Sequence, residues 1–265
     1  MSEPAAFFLP QGDSFEATVL TRGPWRLEHQ HGGPPAALMV RAVEEAAGEA
    51  EQFQLARFTI DFVRPVPIGP VVVRAARTRE SRRVRGVDAE LSAGGEVAAR
   101  ATALLVRTEP PAWKPEPDPD LLEPLPDGSE PFQFPFFRAP IGYHTAVELR
   151  LARGVFGSGR AAAWMRQRVP LVPGESPSPA QRLLLMADSG SGVGATIDPV
   201  RFAPFINADL NVSLHRPPEG EWIGLDAVTI LEPHGVGLTR TDLHDARGII
   251  GQGLQALVAG RMGPA

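Results

Sequence analysis

The chain has 265 residues, 43% of them hydrophobic and 22% charged, with a formal net charge of −5. That supports real apolar cores in one large domain or two of ordinary size, and it offers no electrostatic case for binding nucleic acid or an anionic membrane. The absence of cysteine excludes disulfides, thiolate metal sites and a Cys nucleophile. No stretch reaches the ~18 apolar residues of a membrane span. Met1 to Pro10 lacks the basic and apolar regions of a signal peptide, so a cytoplasmic protein is expected. Among the 26 basic residues only Lys114 is a lysine. With so much Ala, Gly and Pro, this bias reads as GC-rich bacterial coding rather than a binding signal.

The first expected elements are short strands at Phe15 to Leu20 and Trp25 to Glu28. His31-Gly32-Gly33-Pro34-Pro35 then opens a helix, because proline is tolerated in a first turn whose N–H groups have no intrahelical partner. That helix runs almost wholly apolar to Gly48, the mark of a buried helix. Strands follow near 53–64, 70–80, 84–93 and 96–107. The third alternates Val87, Ala89 and Leu91 against Asp88, Glu90 and Ser92, and Gly94-Gly95 closes a tight hairpin. Residues 108–131 hold eight prolines and seven acids, the composition of a stiff extended linker. The pattern then restarts, with strands at Ala146 to Ala152 and Ala161 to Pro170 and a helix from Pro179 to about Val193. Strands near 206–215, 221–231, 236–244 and 249–259 complete it.

The two stretches share a repeat. Phe58 to Pro65, an apolar run ending in Arg64-Pro65, recurs 152 positions later as Leu210 to Pro217, ending in Arg216-Pro217. Two strands, a glycine turn and a long apolar strand follow in each copy. Such a duplication means two copies of one module in one chain. The expected boundaries are 1–107 and 132–265, joined by 108–131. Packed about a pseudo-twofold axis, the copies mimic a homodimer whose halves can diverge. Short strands, one buried helix and a run of antiparallel strands describe an α+β hotdog, here expected twice in tandem.

Asp188 is the one acid in helix 179–193. A carboxylate on a buried helix costs several kcal/mol unless it is solvated or hydrogen-bonded. It either caps a local break at Ser189-Gly190-Ser191-Gly192 or serves as a general base tuned by partial burial. His31-Gly32-Gly33 leaves N–H groups uncovered at the positive end of a helix, where they suit a developing oxyanion; an ordinary Gly-rich turn explains the same residues. Asn207 and Gln255 lie on apolar strands, and the repeat matches Gln255 with Thr102. Each must find a polar partner, which can be a buried backbone group. The histidines show no spacing of a metal site, and neither a Gly-x-Ser-x-Gly elbow nor a P-loop is present.

Met186-Ala187-Asp188-Ser189-Gly190, His215-Arg216-Pro217, Glu221-Trp222-Ile223, Gln255 and Gly32-Gly33 together resemble the tandem double-hotdog acyl-CoA thioesterases. His31-Gly32-Gly33 with Ala187-Asp188-Ser189 is also similar to single-hotdog thioesterases of the phenylacetyl-CoA type. The resemblance implies an acyl-CoA substrate and no cofactor or metal. It implies a water held by Asp188, Gln255 and a third polar residue, usually Thr or Ser and here Asn207. Gly32 and Gly33 with His31 would form the oxyanion side, in a composite site between the halves. The first helix carries no acid near Val40, so one active site per chain is expected. A hotdog hydratase would need an Asp five residues before a His, and none of the six histidines has one. A non-catalytic acyl-CoA-binding or scaffold hotdog is the remaining alternative. Hotdog sheets often join edge to edge, which leaves a homodimer or higher homo-oligomer open.

Overall fold

The computed structural model describes residues 4–48, 52–110, 130–196 and 205–260. Most of the expected linker, 111–129, lies outside the described residues. The first half runs β1 (Phe8–Gln11), β2 (Ser14–Ala17), a 3₁₀ turn (Val19–Thr21), α1 (Gly33–Ala47), β3 (Phe53–Phe62), β4 (Gly69–Glu80), β5 (Val84–Ala93) and β6 (Glu96–Arg107). The second runs α2 (Tyr143–Ala146), β7 (Val147–Gly154), β8 (Arg160–Gln167), α3 (Pro179–Ala187), α4 (Gly190–Val193), β9 (Phe205–Asn207), β10 (Asp209–Leu214), β11 (Trp222–Leu231), β12 (Val236–Asp245) and β13 (Gly248–Ala259).

These strands form one antiparallel sheet in the order β1-β2-β4-β5-β6-β3-β10-β13-β12-β11-β8-β7, with β9 beside β13. The order is a palindrome centred on β3 and β10. Those two strands pair directly, with Thr59 opposite Asn211. These residues are 152 positions apart, the spacing of the repeat, so the pseudo-twofold axis passes between them. This is the double hotdog arrangement. Helix α1 packs on β4 and β5, α3 and α4 pack mainly on β8 and β11, and the two helices pack on each other. Leu38, Met39 and Val40 of α1 join Leu183, Leu184 and Met186 of α3 and Phe58, Ile60, Leu210 and Val212 of the central strands in one continuous core.

Local chemistry accounts for the element ends. Ser178 accepts a hydrogen bond from Gln181 N–H at 3.1 Å and caps α3, with Pro179 in the first turn. The C-terminus of α1 meets Arg85, which is buried and donates to the carbonyls of Ala47 and Gly48 at 2.5 and 2.9 Å. A cation there satisfies orphan carbonyls and opposes the helix dipole. Gly94 and Gly95 both take positive φ, 59° and 83°, the conformation a two-residue hairpin requires.

Three expectations need correction. Trp25 to Glu28 is a loop rather than a strand, because Trp25 packs edge-on to Phe205 and flat on Phe136 instead of pairing. The strand expected at Phe15 to Leu20 stops at Ala17, where Thr18 caps a 3₁₀ turn through Leu20 N–H at 3.2 Å. Helix 179–193 is broken after Ala187 into α3 and α4. Strand β1 was not anticipated; at four residues, one of them Pro10, its pattern is too short to read.

Gly33 sits where α1 crosses α3. A Cβ there would lie 2.1 Å from the Leu185 carbonyl oxygen. Gly33→Val is therefore expected to destabilise the protein by at least the ~1–3 kcal/mol of an overpacked core, read as a fall in thermal midpoint; an unchanged midpoint overturns this packing role. Glu148 on β7 gives a second test. It is buried and accepts hydrogen bonds from Arg150 and Arg166, both at 2.7 Å. Burial pushes its carboxyl up, but the two guanidiniums outweigh that and hold it at about 2, against an ordinary 4.5. A depressed carboxyl contributes stability above its unfolded pKa and loses it as pH falls through the folded one. Urea midpoints of the native protein should therefore drop between pH 4.5 and about 2, and Glu148→Gln should flatten that drop.

Candidate active site

Two prolines shape the mouth of α1. Pro34 and Pro35 have no N–H, so Gly32 and Gly33 hold the uncovered donors of the first turn. Gly33 N–H donates to His31 Nδ1 at 3.1 Å, and Gly33 is buried. Gly32 N–H has no acceptor among the described residues, and Gly32 lines a cavity of about 410 Å³. A Cβ on Gly32 would come within 2.8 Å of both Asp188 carboxylate oxygens and 2.6 Å of Phe62 Cζ. A side chain there would have to displace Phe62 and the carboxylate.

Asp188 follows α3, its side chain 4% exposed. Oδ1 accepts from Asn207 Nδ2 at 2.8 Å, and Oδ2 lies 3.1 Å from His31 Nδ1. That nitrogen can accept from Gly33 or carry a proton toward Asp188, but it cannot do both at once. Burial lowers the pKa of His31, and the negative charge of Asp188 recovers only part of the shift. The imidazole is therefore neutral near pH 7. Tyr143, the chain's single tyrosine, stacks flat on His31 with centroids 3.9 Å apart and planes 1° apart. Its hydroxyl donates to the Leu185 carbonyl at 2.9 Å and lies 3.0 Å from Ser189 Oγ. Burial raises its pKa, so it stays protonated.

Asn207 faces inward because of an irregularity inherited from the repeat. Strand β3 carries a bulge between Leu55 and Arg57. At the matching place, Ala208, the second half breaks into β9 and β10. Asn207 is 152 positions after Leu55, a buried, inward-facing residue. The break thus presents an amide to Asp188 where the first half presents a methyl group.

Gln255 is 1% exposed and stands behind Asp188, away from the cavity wall. Its Nε2 donates to the Asp188 backbone carbonyl at 3.1 Å, and its Oε1 accepts from Ser191 N–H at 3.0 Å. One side chain thus satisfies the orphan groups on both sides of the helix break. Its repeat partner is corrected as well. Thr102 pairs with Thr59 while Leu254 pairs with Asn211. Gln255 therefore matches Ala103, the inward position, and Thr102 matches outward Leu254.

The cavity brings together His31, Gly32, Asp188 and Asn207, with Ser189 and Ser191 beside them. Gly33 and Gln255 are not on its wall. The wall also carries Trp25, Phe134, Phe136 and Phe137, which the sequence reading did not use. Their signal was a run of four phenylalanines within residues 132–137. The Arg-Pro motifs have a structural use. Arg216 forms a two-pronged bond to buried Asp245, at 2.5 and 2.7 Å, and Arg64 pairs with Glu96, so each ties a strand end to a hairpin. Trp222 lies under Arg166, 4.8 Å from the guanidinium to the ring centroid.

The pseudo-twofold maps this cavity onto a second of about 300 Å³, lined by Glu44, Phe53, Leu55, Leu105, Ser178 and Leu214 among others. Glu44 on α1 accepts from Ser178 Oγ and Gln181 Nε2, both at 2.7 Å. Burial raises its pKa against those two bonds. Leu55 stands where the first cavity has Asn207, and no histidine lines this second cavity.

Among the described residues no His, Cys, Asp and Glu group could hold a metal ion, and no helix is long and apolar enough to cross a membrane. No curated protein matches the chain. A hot dog fold protein of unknown function from Alicyclobacillus acidocaldarius superposes with a TM-score of 0.72 at 20% identity, over 97% of this chain and 96% of that one. An acyl-CoA thioesterase II from Mycobacterium marinum superposes with a TM-score of 0.65 at 14% identity, over 96% and 94%. At such identities the likeness is one of fold. Family membership rests on the sequence: the acyl-CoA thioesterase N-terminal domain pattern matches residues 21–106 and the C-terminal domain pattern matches 117–259. The chain belongs to the acyl-CoA thioesterase family, and the protein is a thioester hydrolase.

Proposed function

We propose that the protein hydrolyses an acyl-CoA to the free acid and coenzyme A in the cavity where Asp188 meets His31 and Gly32. In this reading modules 1–107 and 132–265, joined by 108–131, each supply part of one site. The observation that carries it is the set of contacts across the halves: a buried carboxylate from α3 against the imidazole and bare glycine at the mouth of α1. Water attacks the thioester carbonyl carbon while Asp188 takes its proton. The C–S bond then breaks, the thiolate of coenzyme A leaves with the proton that Asp188 took up, and the acyl group departs as the acid. His31, neutral and stacked on Tyr143, orients the carboxylate. Asn207 donates to one carboxylate oxygen, leaving its own carbonyl free to accept from the water. Gly32 N–H, without a protein acceptor among the described residues, faces the developing oxyanion, a role that passes to it because Gly33 is buried against Leu185, off the cavity wall. Gln255 positions Asp188 through the backbone and touches no substrate.

Asp188→Asn is expected to lower kcat by roughly 10²–10⁴ with an unchanged fold, read with a thiol reagent that this Cys-free protein does not consume. Near-native turnover of the Asn variant excludes a general-base role. A native protein that binds acyl-CoA without any turnover supports the binding-scaffold alternative instead. Gln255→Ala should cost about 1–3 kcal/mol of stability by leaving buried backbone groups unpaired, and should lower kcat while leaving KM near native. Unchanged stability and kcat would remove Gln255 from the site's support.

A further inference from the structure

Resting on the acyl-CoA hydrolase reading, we infer that the acyl group this enzyme takes is aromatic: an aryl or arylacetyl thioester whose ring lies against a stacked aromatic wall beside Asp188. Trp25 and Phe136 stack with centroids 5.4 Å apart and planes 25° apart, and Phe136 and Phe134 stack at 5.0 Å and 12°. Phe205 meets Trp25 edge-on at 6.1 Å and 68°. All four line the cavity. Phe132 and Phe156 pack behind Phe134, so its ring is backed by protein rather than by solvent.

The wall lies next to the reacting centre. A Cβ on Gly192 would stand 3.3 Å from Phe134 Cε2 and 3.5 Å from Phe136 Cζ, so both rings pack directly on α4. Gly192 is four residues past Asp188, just beyond the helix break, and both line the same cavity. A carbonyl within reach of Asp188 therefore places its acyl substituent against these rings. The adenine of coenzyme A is separated from the thioester by the whole pantetheine arm, so it is the poorer candidate for the same wall.

The second cavity supplies an internal comparison. Its lining is mostly aliphatic or proline, with Leu55, Leu105, Leu214, Pro217 and Pro218, and Phe53 is its single aromatic residue. The repeated fold does not need rings at this depth. Leucines bury a fatty chain as well as phenylalanines do. What an offset stack adds is a face and an edge for one more ring, worth more than its buried area alone.

The test compares phenylacetyl-CoA with octanoyl-CoA, whose acyl groups have equal carbon number, using the native protein and Trp25→Leu. The expected result is a kcat/KM about tenfold higher for the aromatic thioester, with the ratio falling several-fold in Trp25→Leu. A native ratio at or below one, with clear hydrolysis of octanoyl-CoA, overturns the inference and leaves the hydrolase reading intact. Quenching of tryptophan fluorescence gives a second readout, corrected with Trp25→Phe for the other tryptophans. If neither thioester releases coenzyme A, the hydrolase reading fails and the quenching titration decides this point: tighter binding of phenylacetyl-CoA supports the aromatic wall, and equal or weaker binding overturns it.

Discussion

The antiparallel pairing of β3 with β10 is the constraint on which the rest of the molecule depends. It joins the two halves by main-chain hydrogen bonds, and Asn211 Nδ2 donates to Thr59 Oγ1 at 2.6 Å across its centre. Repeat-equivalent residues face each other there, so everything else is placed by rotation about that point. Thus β6 and β13 flank the central pair, and α1 and α3 pack on each other. The helix crossing is close because Gly33 has no side chain to hold Leu185 away. That closeness carries the mouth of α1 onto the end of α3, and a carboxylate from one half reaches an imidazole from the other.

A symmetric scaffold produces two equivalent clefts, and small differences in side chains give them different properties. In one, the acid is the short Asp188, the opposing helix opens with His31-Gly32, and the strand break offers Asn207. In the other, the longer Glu44 reaches the cap of α3, where Ser178 and Gln181 engage both of its oxygens. Glu44 therefore ties two helices together, whereas Asp188 holds a histidine and an amide at the edge of open space. The expectation of one active site per chain rested on the missing acid near Val40; the structure adds that an acid one turn later meets a different set of partners.

Placing a carboxylate in a buried position is costly, and the structure offsets that cost locally. The helix breaks directly after Ala187, which leaves a carbonyl and an N–H without helical partners. Gln255 accepts one and donates to the other. The carboxylate itself receives the Asn207 amide and the His31 nitrogen. Tyr143 supports this from the far side, stacking on His31 while its hydroxyl bonds to the α3 carbonyl of Leu185. Break, staple, imidazole and ring form one unit, so Asp188 is held in a single orientation by both halves.

Repetition, strand alternation and the two apolar helices are local properties, and the sequence by itself determined them. The 152-residue spacing, the buried faces of β5 and β3 and the glycine hairpin all follow from side-chain period and backbone chemistry. The identity of Asp188 as the exceptional acid was also legible, because a lone carboxylate on an apolar helix contradicts its surroundings. Which groups meet Asp188 was decided only by tertiary structure. Gly32 and Gly33 are indistinguishable in sequence, yet one faces the cavity and the other is buried in the helix crossing. Gln255 reads as a possible water ligand, yet its strand register, one residue from that of Thr102, turns it toward the helix break. Trp25 and the run at 132–137 lie in loops and Tyr143 opens the four-residue α2, so no period reports their direction. Trp25 meets Phe136 and Tyr143 meets His31 across more than a hundred positions, so only the folded chain brings them together.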